Sequence, residues 1–143
     1  MNNSNMKNKK SQFQVHINSR EKADLLDLPG RKARILFSGN VLKAKDLSLI
    51  DVEIDVGACT TPAHKHETLE EVMYILKGAA RLWIEGDVYT VNSGEAILVP
   101  EGSRHMVKNV GGSPLHMLTF YGDKNFRDGF VEFPEINKDN TEF

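Results

Sequence analysis

The sequence predicts an all-β domain, a sandwich or barrel of the jelly-roll kind, and three observations carry that prediction. Apolar and polar residues alternate with a period of two along several short stretches, most clearly from Ser48 to Val56. From Glu71 onward such stretches follow one another closely, with turn-forming residues between them. No segment keeps a long helical period.

Taken in order, residues 1–12 are nearly all Asn, Lys, Ser and Gln. They cannot bury enough apolar area to offset ordering entropy of about 1–2 kcal/mol per residue, so a disordered arm is expected. Phe13, Val15 and Ile17 alternate with Gln14 and His16, which predicts a short strand with His16 solvated. Ser19 is placed to cap one helical turn through Leu26. Pro29-Gly30 makes a turn, and 31–38 reads as a strand ended by Gly39-Asn40. In the 48–56 stretch Ile50, Val52, Ile54 and Val56 share one face. Asp51, Glu53 and Asp55 share the other, so they read as a solvated outer face rather than a metal site. Further strands are expected at 72–76, 80–84, 88–91, 96–99, 105–109 and 115–121. The turns between them are Lys77-Gly78, Glu85-Gly86-Asp87, Ser93-Gly94, Pro100-Glu101-Gly102 and Gly111-Gly112. The stretch after Gly122 is less regular but carries Phe126, Phe130, Phe133 and Phe143, which can pack on the barrel or on a second subunit. One domain is expected over 13–136, followed by a polar tail at 137–143.

The 143 residues suffice for one core, and 40% hydrophobic content is ordinary for a globular protein. A formal charge of −2 with interspersed signs gives no reason to expect nucleic acid or an anionic membrane as partner, which leaves small molecules. The single cysteine, Cys59, cannot form an internal disulfide and reads as a packed residue in a reducing compartment. The N-terminus lacks the apolar run of a signal peptide or membrane span, so the cytoplasm is the expected address. Phosphate-cradling loops, C-x-x-C and G-x-S-x-G are all missing from the sequence.

His64-Lys65-His66 is the first chemical signal. Residues two apart on a strand project from one face, about 7 Å apart, so two imidazoles can converge on one ion. Glu71 shares a face with Met73 and Ile75 on a strand that reads as buried on both sides, and a buried carboxylate calls for a cation. His105 follows the Pro100-Glu101-Gly102 turn and shares a face with Val107 and Asn109. A third imidazole is thus brought from a distant part of the chain.

These residues resemble the two signature motifs of the cupin superfamily. The first spans 57–78: Gly57, six residues, His64-Lys65-His66, four residues, Glu71, six residues and Gly78. The second spans 94–109: Gly94, five residues, Pro100-Glu101-Gly102, two residues, His105, three residues and Asn109. The spacer of six between Gly57 and His64 is one longer than usual, which bears on the local loop alone. The resemblance implies a double-stranded β-helix, or jelly-roll, barrel with a short N-terminal extension. It also implies four metal ligands, His64, His66, Glu71 and His105, with Glu70 the competitor for Glu71. Three imidazoles and a carboxylate suit one divalent transition metal, Fe, Mn, Co, Ni, Cu or Zn, and leave open positions for a ligand.

Around that site Met73, Ile75 and Val107 are candidates for the pocket wall, or for plain core. Asn109 is a candidate for support of the ligands or for a structural turn. His116 alternates either inward with Leu118 and Phe120 or outward, opposite Leu115, Met117, Thr119 and Tyr121. Arg81 and Arg104 are candidates to anchor a substrate carboxylate, and Trp83 and Tyr89 read as packing or interface residues. With no helix-turn-helix pattern in the arm, the resemblance is to free-standing cupins. It implies a metal-dependent enzyme on a small organic substrate, an oxygenase or an isomerase or lyase, with a non-catalytic binding or sensing module as alternative. It also implies a homodimer, in which the strand at Phe13-Val15-Ile17 is exchanged or packed between barrels.

Overall fold

The computed structural model describes residues 13–143, so the arm expected at 1–12 lies outside the described residues. The strands are β1 Leu25–Leu28, β2 Arg31–Phe37, β3 Ser48–Ile54, β4 Ala63–His66, β5 Glu71–Lys77 and β6 Ala79–Ile84. They continue with β7 Asp87–Asn92, β8 Ala96–Val99, β9 His105–Asn109, β10 Leu115–Tyr121 and β11 Phe130–Phe133. Two antiparallel sheets result, in the orders β1-β2-β3-β10-β5-β8 and β11-β4-β9-β6-β7. This is the all-β jelly-roll the alternation predicts. Among the described residues no helix is long and apolar enough to cross a membrane.

The core lies between the sheets. Ile54, Met73, Ile75 and Leu115 from the six-stranded sheet meet Leu82 and Val107 from the five-stranded sheet, all essentially without exposure. Each such side chain contributes about 1.5–3 kcal/mol by leaving water. The β1–β2 turn is fixed by Gly30, whose φ is +70° and where a Cβ would meet the Ala58 Cβ at 2.8 Å. Its carbonyl accepts a hydrogen bond from Asp55 N at 2.9 Å.

A second, smaller core covers the outer face of the five-stranded sheet. There Ala63, Trp83 and Met106 pack with Phe133, Ile136 and Phe143 from the C-terminal segment. The backbone bond from Ala63 N to Ile136 O, 2.8 Å, ties that segment down, and Lys138 N donates to Thr61 Oγ1 at 3.1 Å. The residues after Ile136 therefore lie against the barrel rather than forming the expected polar tail, because Phe143 has an apolar place to go.

Other expectations are corrected. Phe13, Val15 and Ile17 form no strand and are 71%, 78% and 84% exposed. The stretch after Ser19 is a single turn, with Ser19 O accepting from Lys22 and Ala23 N, and then passes into β1 rather than continuing as helix to Leu26. The outer face of β5 is not buried, since Tyr74 and Leu76 are 38% and 40% exposed. Nor is the acidic face of β3 simply solvated. The turn after Ser19 lays Arg20 across it, with Nε 3.2 Å from Asp51 Oδ1 and a terminal nitrogen 2.8 Å from Glu53 Oε2, so Asp51 is buried.

Candidate metal centre

β4 and β9 run antiparallel with His64 directly opposite His105, and His66 stands two residues along the same face. Glu71 opens β5 in the other sheet, in register with Tyr121 of β10. Three imidazoles from one sheet thus face one carboxylate from the other. Their donor atoms all lie within 4.8 Å of one another. Metal bonds of about 2.0–2.2 Å place donors roughly 3–4 Å apart around one ion, so the set is close to what an ion needs. Glu70, the competitor for this role, points to solvent.

The polar contacts are few. Glu71 Oε2 lies 3.0 Å from His105 Nε2 and 3.6 Å from His66 Nε2, and Glu71 Oε1 accepts a 2.7 Å hydrogen bond from the Tyr121 hydroxyl. His105 Nδ1 is 3.0 Å from Ser103 O. That carbonyl holds a proton on Nδ1 and aims Nε2 at the cluster. His66 is buried, and neither of its ring nitrogens has a hydrogen-bond partner among the described residues.

Electrostatics separate the histidines. Burial, followed by the nearby His105, pushes the His64 pKa down to about 3, which keeps it neutral and ready to donate a lone pair. Burial also disfavours charge on His105, but its hydrogen bond to Glu71 and that carboxylate's charge outweigh this and raise its pKa. For Glu71 burial opposes ionisation, yet the hydrogen bond to His105 and the nearby His66 ring hold its carboxyl below the ordinary carboxylate range. Burial and the adjacent Glu71 charge push the Tyr121 phenol well up, so it stays a donor.

The cluster opens into a cavity of about 310 Å³. Met73 and Val107 line it, as alternation suggests, with Ile50, Val52 and Met117, while Ile75 sits in the core away from the cavity wall. Phe130 packs on the histidines, its ring 5.1 Å from that of His64, and Phe126, also in the cavity lining, stacks on Tyr121 at 5.5 Å. Neither these rings nor Tyr121 was singled out for the site by the sequence. The signal for Tyr121 lies in the inward set Met117, Thr119 and Tyr121.

The remaining sequence candidates stand elsewhere. His116 faces outward, its Nε2 2.6 Å from Asp51 Oδ2, and takes no part in the cavity. Asn109 is a structural residue: Nδ2 donates to Ile54 O, Asp55 O and Ser113 O at 3.0, 3.2 and 2.8 Å, and Oδ1 accepts from Gly111 N at 2.9 Å. Arg104 is paired with Glu85 at 2.6 Å, and neither it nor Arg81 reaches the cavity. Arg31 does line it, and sequence reasoning passed over it as the first residue of an ordinary strand.

Comparison with known proteins agrees with this geometry. An oxalate decarboxylase from Bacillus subtilis superposes with a TM-score of 0.67 at 25% identity, covering 77% of this chain and 29% of that one. KdgF from a Halomonas species superposes over 78% of this chain and 97% of its own, with a TM-score of 0.65 and 23% identity, a likeness of fold. The uncharacterized protein MJ1618 of Methanocaldococcus jannaschii is 34% identical over 89 residues, 62% of this chain and 70% of that protein. Residues 50–121, from the middle of β3 to the end of β10, match the family model of the cupin domain, and the chain belongs to the cupin family.

Proposed function

We propose that this chain is a metal-dependent cupin enzyme acting on a small organic substrate in the cavity beside His64, His66, Glu71 and His105. The observation that carries the reading is the buried His66 ring, unpartnered on both nitrogens next to a carboxylate and two more imidazoles. Orphaned buried polar atoms cost about 1–3 kcal/mol each, a cost that one ion held by the four side chains offsets. When bound, a divalent transition metal supplies a Lewis acid for a carbonyl or enolate oxygen or, if it is Fe or Cu, a partner for dioxygen. His105 is kept in one orientation by Ser103 O, and Glu71 by Tyr121. Met73, Val107 and Met117 exclude water from the bound substrate, which strengthens every charge interaction beside it. The likeness to oxalate decarboxylase lends weight to lyase-type chemistry within this reading.

A second reading, a non-catalytic binding or sensing module, draws support from the mostly apolar cavity wall. Elemental analysis of protein purified without added metal tests the first step, with one equivalent of Fe, Mn, Co, Ni, Cu or Zn expected. His105→Ala should empty the site, and occupancy that survives it would sink the ligand assignment. If metal-replete protein binds carboxylates, sugars or diketones but converts none and consumes no oxygen, the binding module replaces the enzyme.

We also propose a homodimer in the cytoplasm. The exposed Val15 and Ile17, and the apolar outer patch of Tyr74, Leu98 and Phe120, offer surface for a second copy. Light scattering tests the dimer. The half-buried Cys59, its thiol pushed up to about 11 by burial, suits a reducing compartment.

A further inference from the structure

Arg31 opens β2 directly after the Pro29-Gly30 turn, whose glycine is locked by its positive φ and by Ala58. Its guanidinium is therefore presented from a rigid corner. It lines the same cavity as His64, His66 and Glu71. Among the described residues the arginines in ion pairs are Arg20, Arg34 and Arg104, and Arg31 is in none. Burial lowers its pKa from the ordinary value, with Glu132 partly offsetting that and Arg127 adding a like charge. A guanidinium remains charged throughout the physiological range even so.

An unpaired charge withdrawn from water is costly and calls for a partner. Glu71 is committed to the histidines and Tyr121, and the exposed Glu132 attracts Arg31 but forms no ion pair with it. Much of the cavity wall is apolar, with Ile50, Val52, Met73 and Val107 among its lining, and the small Ala33, in register with Val52, also lines it. The arrangement is a planar fork and a ligand cluster in one partly apolar cavity of about 310 Å³. A guanidinium fork matches a carboxylate with two parallel hydrogen bonds.

We infer that the cavity takes a small organic acid whose carboxylate is held by Arg31 while its other end reaches His64, His66, Glu71 and His105. The inference rests on the metal reading above and narrows its substrate class to anions with a short apolar body. Arg31 is then the residue that selects molecules with a carboxylate at the end away from the cluster over molecules of similar shape without one there.

The test uses a matched pair of probes, 2-oxoglutarate and 2-oxopentanoate, titrated calorimetrically into the metal-replete protein. Both offer the same 2-oxo acid end to the metal cluster, and only the first has a distal carboxylate for Arg31. Wild-type protein should prefer 2-oxoglutarate by about tenfold or more. Arg31→Gln should erase the preference while leaving affinity for 2-oxopentanoate and metal content unchanged. Arg31→Lys, which keeps the charge but not the fork, should retain part of the preference. Equal affinities in the wild type, a preference that survives Arg31→Gln, or failure of both probes to bind overturns the inference. Metal content of the same samples separates the two readings: metal retained without discrimination removes the role of Arg31 alone, and protein that holds no metal removes both.

Discussion

Tyr121 donates a 2.7 Å hydrogen bond to Glu71 Oε1 and leaves Oε2 to face His105 and His66. The two residues are register partners on β10 and β5, so the sheet itself sets the orientation of the carboxylate. Groups that hold a ligand in place typically contribute 10- to 100-fold in metal affinity. Tyr121→Phe should therefore weaken metal binding by about tenfold, read by competition with a chelator, while circular dichroism stays that of the native fold. Unchanged affinity would mean that Glu71 is oriented by packing alone.

Metal affinity should also depend on pH in a direction set by His105. Its pKa is raised because Glu71 outweighs the effect of burial. The proton it gains stabilises the metal-free fold below the ordinary pKa of 6.5, and that contribution is lost as pH rises through the raised value. An ion must displace this proton. Apparent affinity should then climb with pH and keep climbing above 6.5, by up to about tenfold per pH unit where one proton is displaced. A profile already flat at pH 6.5 would contradict the coupling of His105 to Glu71.

On the outer face, Asp51 is held between His116 at 2.6 Å and Arg20 at 3.2 Å, with its side chain 3% exposed. His116→Ala removes the shorter contact and leaves a buried carboxylate with Arg20 alone. A loss of about 2–3 kcal/mol of unfolding free energy is expected in urea titration. Metal content should not change, since neither group reaches the cavity.

Asn109 closes the loop after β9 by satisfying three carbonyls and one amide. Asn109→Ala orphans these buried groups and should cost about 2–4 kcal/mol, with the four metal-ligand candidates left in place. A measured loss below about 0.5 kcal/mol would mean that water replaces the side chain at no cost.

The fold was legible in the sequence because period-two alternation and turn residues are local signals. The residues of the cluster were legible through the resemblance to the cupin motifs, with strand geometry adding that His64 and His66 face one way. What escaped was set by contacts across the chain. Asp51 looks solvated until Arg20, in a turn far away in sequence, is laid over it. Phe130 belongs to β11, a strand of four residues whose only neighbour among the described strands is β4, and nothing in its own sequence announces the pairing. Arg31 was invisible as a site residue because a charge at the start of a strand is usually solvated. Only closure of the barrel turns it towards the cavity.

The division of the cluster between sheets has a consequence for how the molecule comes apart. His64, His66 and His105 belong to one layer of the barrel and Glu71 to the other, so an ion on all four fastens the layers to each other. Ligand binding of this kind adds free energy to the native state alone, about 4 kcal/mol at a thousandfold excess over the dissociation constant. Stripping the ion should therefore do more than silence the cavity. It releases the clasp between the sheets, and the two layers become free to part first beside the cavity.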